Sequence, residues 1–176
     1  MTSFERMSIP DVIKIIPDQH SDSRGIFSEV YVDHLTMPRW VQDNQSISYK
    51  SGTVRGLHYQ RGVYAQAKLV RCVSGSIVDI AVDIRPDSPT YGKHVAAILS
   101  SVNGAQLLIP RGFAHGFMTL TDNAIVIYKV DNVYHKESEG AIRWDDPDLN
   151  IEWKYLGATA ISEKDAAAPF FKDIVL

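Results

Sequence analysis

Short runs of alternating apolar residues, separated by Gly, Pro, Asn, Asp and Ser, recur through most of this chain. A period of two is the signature of strands with one face turned inward, and it constrains the fold more than any other feature. The clearest run is 76–85, where Val78, Ile80, Val82 and Ile84 share one face and Asp79 and Asp83 fall on the other. The turn-rich stretch from Arg85 to Thr90 ends it. Further strands are expected at 26–32, 42–49, 53–60, 66–73, 94–99, 105–109, 113–120 and 124–131. No amphipathic pattern long enough for a crossover helix separates them, which favours an all-β sandwich or closed barrel over a βαβ sheet. Ser162, with Asp165 three residues on, has the form of a helix N-cap, so a short C-terminal helix or turn is expected. With no internal repeat, linker or low-complexity segment, residues 1–176 read as one domain.

Composition narrows the partners. A formal charge of -3 and the absence of a Lys/Arg run argue against nucleic acid, although a local arginine cluster can still grip a small phosphate. No apolar run approaches the roughly 18 residues of a membrane span, and the opening residues 1–7 resemble neither a signal nor a transit peptide. Cys72 is the only cysteine, which rules out an intrachain disulfide and a thiolate-rich metal site and makes the cytoplasm the simplest location. Neither a G-x-x-x-x-G-K-[ST] nor a G-x-G-x-x-G loop is present, which speaks against a P-loop kinase or a Rossmann oxidoreductase.

Several segments carry residues suited to chemistry. Arg55 and His58 share one strand candidate, and strict alternation puts them on opposite faces. Gly56 between them marks a place for a bulge that turns both inward. Spacing alone leaves His58 open to a core or surface role. His115 sits between small and aromatic residues beside a turn set by Pro110 and Gly112, a setting that by itself suits a structural histidine. Tyr128 shares parity with Val126 and Val130, so its phenol faces the core or a cavity and needs a hydrogen-bond partner.

Taken together, these segments resemble the dTDP-4-dehydrorhamnose 3,5-epimerase family. The resemblance runs from Asp22-Ser-Arg-Gly-Ile-Phe-Ser-Glu29 through Gln42-Asp-Asn-Gln-Ser46, Val54-Arg-Gly-Leu-His-Tyr-Gln60 and Gln66-Ala-Lys-Leu-Val-Arg71. It continues through 83–90, Pro110-Arg-Gly-Phe-Ala-His-Gly-Phe117, Tyr128-Lys129, the Tyr134 region, Trp144-Asp-Asp-Pro147 and Ser162-Glu-Lys-Asp165. It implies a cupin-type jelly-roll and a homodimer; because the proton simply leaves and returns, no cofactor is expected, and no metal. The implied substrate is dTDP-4-dehydro-6-deoxy-D-glucose, and the implied product is dTDP-4-dehydro-L-rhamnose, on the route to dTDP-L-rhamnose. His58 matches the family's base, Asp165 the carboxylate that orients it, Tyr128 the acid, and Lys68 the cation beside the 4-keto oxygen. Arg24, Phe27, Glu29, Gln42, Asn44, Arg55, His115, Glu139 and Lys164 match substrate contacts, and Tyr134 an aromatic against nucleotide or sugar.

The residue types suit that chemistry. Inversion beside a ketone removes a weakly acidic C–H proton and returns one from the opposite face. Histidine changes protonation near neutral pH, and a carboxylate on its other nitrogen fixes the tautomer. A phenol can serve as the acid, with cations such as Lys68 expected to lower its pKa. Lys68 is also placed to stabilise the enolate oxygen, an effect often worth about 3–4 kcal/mol in a dry site. Arginines such as Arg24 and Arg55 suit the diphosphate, and Phe27 or Tyr134 can stack on thymine.

Three rival readings remain at this stage. A metal-dependent cupin fits the Pro110-x-Gly112-x-x-His115 segment, but the usual His-x-His is replaced by His58-Tyr-Gln60, short of a three-ligand site. A non-catalytic sugar-nucleotide binder fits the fold but needs no facing acid and base. Relatives that act at C3 or C5 alone share the general motifs.

Overall fold

The computed structural model describes residues 1–33, 37–153 and 157–176. In chain order the strands are β1 (Ser3–Arg6), β2 (Ile13–Ile16), β3 (His20–Asp22), β4 (Gly25–Phe27), β5 (Gln42–Ser48), β6 (Val54–Gln60) and β7 (Lys68–Ser74). They continue as β8 (Ser76–Asp83), β9 (His94–Ser100), β10 (Gln106–Ile109), β11 (Phe113–Thr119), β12 (Ala124–Val130) and β13 (Glu139–Ala141). One short helix, α1 (Glu163–Ala166), follows. A six-stranded sheet in the order β1-β2-β10-β7-β12-β5 faces a five-stranded sheet in the order β13-β6-β11-β8-β9, and β3 and β4 form a separate hairpin. This is a cupin-type jelly-roll, in which non-consecutive strands pair antiparallel within two packed sheets.

Two apolar layers hold the sheets. Val70, Cys72, Leu107, Ile109, Ala124 and Val126 of the first sheet meet Ile77, Ala81, Val95, Leu99, Phe113 and Phe117 of the second in the interior. The outer face of the five-stranded sheet is covered as well. Val78, Ile80, Val82 and Ile84 pack there with Ile142, Leu149 and Trp153 from the chain after β12. Strand β8 is therefore buried on both faces, and Asp79 and Asp83 lie in the interior rather than in solvent. Asp83 is satisfied by Arg85, Ser88 and Thr90.

The alternating runs correspond to β5 through β12 within one or two residues at most ends. The strand expected at 26–32 is reduced to Gly25–Phe27, a fully exposed hairpin arm. With no buried face to align, the apolar residues beyond it have no ladder to join. Strands β1, β2, β3 and β13 carried no usable alternation; Ser3–Arg6, for example, is exposed throughout.

Candidate active site

The interior is apolar at one end and polar at the other. On the six-stranded sheet, the inward row of β5 is Gln42, Asn44, Ser46 and Ser48, and Tyr128 pairs with Asn44 on one side and Val70 on the other. On the five-stranded sheet, His115 pairs with His58 and with Ala81. These rows face one another across a cavity of about 670 Å³ lined by His58, Lys68, His115, Tyr128 and Asp165. The His115 and Tyr128 rings, on opposite sheets, are 6.5 Å apart.

Gly56 explains how Arg55 and His58 both reach this cavity. The register of β6 against β11 shifts between the Arg55–Phe117 and His58–His115 pairs, so Gly56 and Leu57 oppose Gly116 alone. Gly56 has φ +123°, and a Cβ there would lie 2.5 Å from Gly116 Cα and 2.8 Å from the His115 carbonyl oxygen. Only glycine fits.

Two histidine–carboxylate pairs stand side by side. His58 Nε2 is 2.7 Å from Asp165 Oδ1, and the Gly56 amide donates to Asp165 Oδ2 at 3.1 Å. Burial of Asp165 opposes ionisation, but hydrogen bonds and charge from His58, with help from the Gly56 amide, hold its carboxyl below the usual range. Ser162 caps α1 as its position suggests, accepting from the Asp165 amide at 3.1 Å. The Asp165 carboxylate does not close a reciprocal capping box; it turns to His58 and Gly56 instead. In the second pair, His115 Nε2 is 2.7 Å from Asp79 Oδ1. Burial lowers the His115 pKa against the pull of Asp79, which favours the neutral imidazole.

Lys68 lies between these groups. Burial brings its ammonium down to about 8, with Asp79 pulling upward, and its Nζ donates to the His58 carbonyl at 3.4 Å. The expectation that cations lower the Tyr128 pKa needs correction. Burial dominates and raises it, and the cation that opposes this is Arg55, not Lys68. Lys68 Nζ stands 6.0 Å from the Tyr128 ring centroid.

The cavity rim gathers most of the other expected contacts. Gln42, Asn44, Arg55, Tyr134, Glu139 and Lys164 line it. Arg55 is braced by Ser48 Oγ and the Ile47 carbonyl, both at 3.1 Å. Tyr134 donates its hydroxyl to Glu139 at 3.0 Å, and Lys164 pairs with Glu139 at 2.6 Å. Arg24, Phe27 and Glu29 are not brought there. Arg24 pairs with Asp22 on the exposed hairpin, Phe27 projects into solvent with 67% of its surface exposed, and Glu29 borders a separate, largely apolar groove.

Sequence reasoning passed over Gln60 and Asp79 as site residues. Gln60 shares parity with His58, and Asp79 pairs with Phe117 two residues beyond His115, so position along the strand was the available signal. Among the described residues, no three His, Cys, Asp or Glu side chains are grouped so as to hold a metal ion. Nor is any described helix long and apolar enough to cross a membrane.

Comparison with known proteins agrees with the geometry. Residues 6–173 match a family model described as dTDP-4-dehydrorhamnose 3,5-epimerase. A protein of that name from Sinorhizobium fredii is 47% identical over 171 residues, covering 94% of this chain and 88% of the relative. The Salmonella typhimurium protein of that name is 46% identical, covering 97% and 96%. The crystal structure of dTDP-6-deoxy-D-glucose-3,5-epimerase from Legionella pneumophila, in complex with dTDP-4-keto-L-rhamnose, superposes with a TM-score of 0.93. It is 40% identical, with 99% of this chain and 95% of that one covered.

Proposed function

Because the chain belongs to the dTDP-4-dehydrorhamnose 3,5-epimerase family, it is an isomerase of a dTDP-linked 4-keto-6-deoxy sugar, and we propose that His58 and Tyr128 are its base and acid. One observation carries this assignment: an imidazole tied to a buried carboxylate and a half-buried phenol project from opposite sheets into one cavity.

The geometry supports the following steps. Asp165 engages His58 Nε2, which leaves Nδ1 to take the proton from C3 or C5 of the sugar. The C–H electron pair moves toward C4, and the ketone oxygen becomes an enolate. Lys68, with Asp79 behind it, supplies the positive charge for that oxygen. Tyr128 stays protonated at neutral pH because burial raises its pKa, and it returns a proton from the other face. Each inversion leaves imidazolium and phenolate, and exchange with solvent resets both. No electron carrier enters the balance. Arg55 serves the diphosphate, and Tyr134, at the rim, flanks the nucleotide or sugar.

The acting form is a homodimer in this reading. Ile26 and Phe27 are apolar and uncovered on a hairpin with no core of its own. The family resemblance makes Arg24, Phe27 and Glu29 substrate contacts, and they lie away from their own chain's cavity. A second copy whose cavity receives this hairpin accounts for both facts. Residues 1–176 act as one domain, in the cytoplasm, where a single buried thiol such as Cys72 is at home.

Steady-state turnover of dTDP-4-dehydro-6-deoxy-D-glucose tests the assignment. His58→Ala and Tyr128→Phe are each expected to lower kcat by about a hundredfold or more. Near-native turnover in either variant removes that residue from its role.

A further inference from the structure

Tyr134 presents a problem of positioning. The residue is 52% exposed at the cavity rim, so packing alone does not fix it. Its hydroxyl is held by Glu139, but its backbone runs through a loop with no strand ladder. Something else must hold that backbone if the ring is to meet a ligand in one place.

Gln60 holds it. Its side chain is only 8% exposed and lines the same cavity as His58. An amide side chain has two donor hydrogens and two acceptor sites. Gln60 Nε2 donates to the Tyr64 carbonyl at 3.0 Å and to the Val133 carbonyl at 3.2 Å, while Oε1 accepts from the His135 amide at 2.7 Å. The Val133 carbonyl and the His135 amide flank Tyr134 on both sides. A second glutamine, Gln42 on the opposite sheet, accepts from the Tyr134 amide itself at 3.3 Å. The Tyr64 and His135 rings stack at 3.8 Å, joining the two loops that Gln60 bridges. An apolar residue at position 60 could fill the space, but it would leave the Val133 carbonyl and the His135 amide without these partners.

We propose that Gln60 is a positioning residue that fixes Tyr134 against the substrate by clamping the backbone on either side of it. The proposal rests on the reading of Tyr134 as a substrate contact. Gln60 takes no part in proton transfer, so its loss acts on KM while the pH dependence of kcat stays native.

A double-mutant cycle tests this with the full-length enzyme and dTDP-4-dehydro-6-deoxy-D-glucose. Gln60→Leu is expected to lower kcat/KM about tenfold, mainly through KM. In a Tyr134→Ala background the same change is expected to alter kcat/KM by less than about twofold. The His135 amide should also exchange faster with solvent deuterium in Gln60→Leu. Should that variant fail to fold, Gln60→Glu, which keeps the shape and the acceptor but loses both donors, takes its place in the cycle. An equal loss in both backgrounds, or no loss from Gln60→Leu, overturns the clamp. Native kcat/KM in Tyr134→Ala alone would instead sink the reading of Tyr134, and the clamp's function with it.

Discussion

His58 Nε2 and Asp165 Oδ1 are 2.7 Å apart, although 107 residues separate them in the chain. The contact exists because α1 begins at a serine cap whose third residue points its carboxylate at β6. A carboxylate in this place selects one tautomer and stabilises the imidazolium that forms when a C–H proton is taken. Asp165→Asn keeps the size and the capped amide but removes the charge. It is expected to lower kcat by about a hundredfold while leaving the thermal midpoint within a few degrees. Native kcat in this variant would reduce Asp165 to a structural group.

An alkaline limb in the pH profile is expected from Lys68. Its ammonium is charged below a pKa of about 8 and neutral above it. The charge proposed to stabilise the enolate is therefore present at low pH and lost as pH rises through that value. Because Tyr128 is pushed upward by burial, its phenol remains protonated across this window. The expected result is a fall in kcat/KM beginning near pH 8, absent from Lys68→Met, whose activity is low at every pH. A profile flat beyond pH 10 would contradict it.

Gly56→Ala tests the bulge. The added methyl would meet Gly116 and His115 backbone in a conformation that favours glycine. Strain of this kind costs about 1–3 kcal/mol, or roughly 2–4 °C of thermal midpoint per kcal/mol in a chain of this length. The melting temperature should drop accordingly, and activity should fall further than stability, because Arg55 and His58 lose their shared face. Unchanged melting and turnover would mean that the bulge is dispensable.

Dimerisation is open to complementation. Sedimentation should give twice the chain mass of 19.7 kDa. Phe27→Ala should lower kcat/KM although Phe27 lies outside its own chain's cavity. Mixing Phe27→Ala with His58→Ala chains should restore activity above the sum of the two, because one mixed site then carries both an intact base and an intact hairpin. A monomer, or a mixture with no gain, would refute the exchanged hairpin.

The fold was legible where burial imposes alternation. Val78, Ile80, Val82 and Ile84 marked β8 because they pack under the C-terminal chain, and Val126, Tyr128 and Val130 marked β12 because they face the interior. Ser3–Arg6 has no buried face, so nothing in its pattern distinguishes strand from coil, and around Phe27 no buried face limits the strand's length. The cavity lining was legible through His58, His115, Lys68 and Tyr128. Asp79 and Gln60 were not, because their roles depend on contacts with His115 on a neighbouring strand and with loops near residues 64 and 133. The sign of the Tyr128 shift was also out of reach, since burial depth has no counterpart in residue spacing.

Proton traffic at the sugar ring is the heart of the account, and NMR of the reaction in deuterated water reads it directly. The native enzyme should place solvent deuterium at both C3 and C5 of the 4-keto sugar, and His58→Ala should place it at neither. Deuterium entering at the native rate without the His58 imidazole would contradict the account.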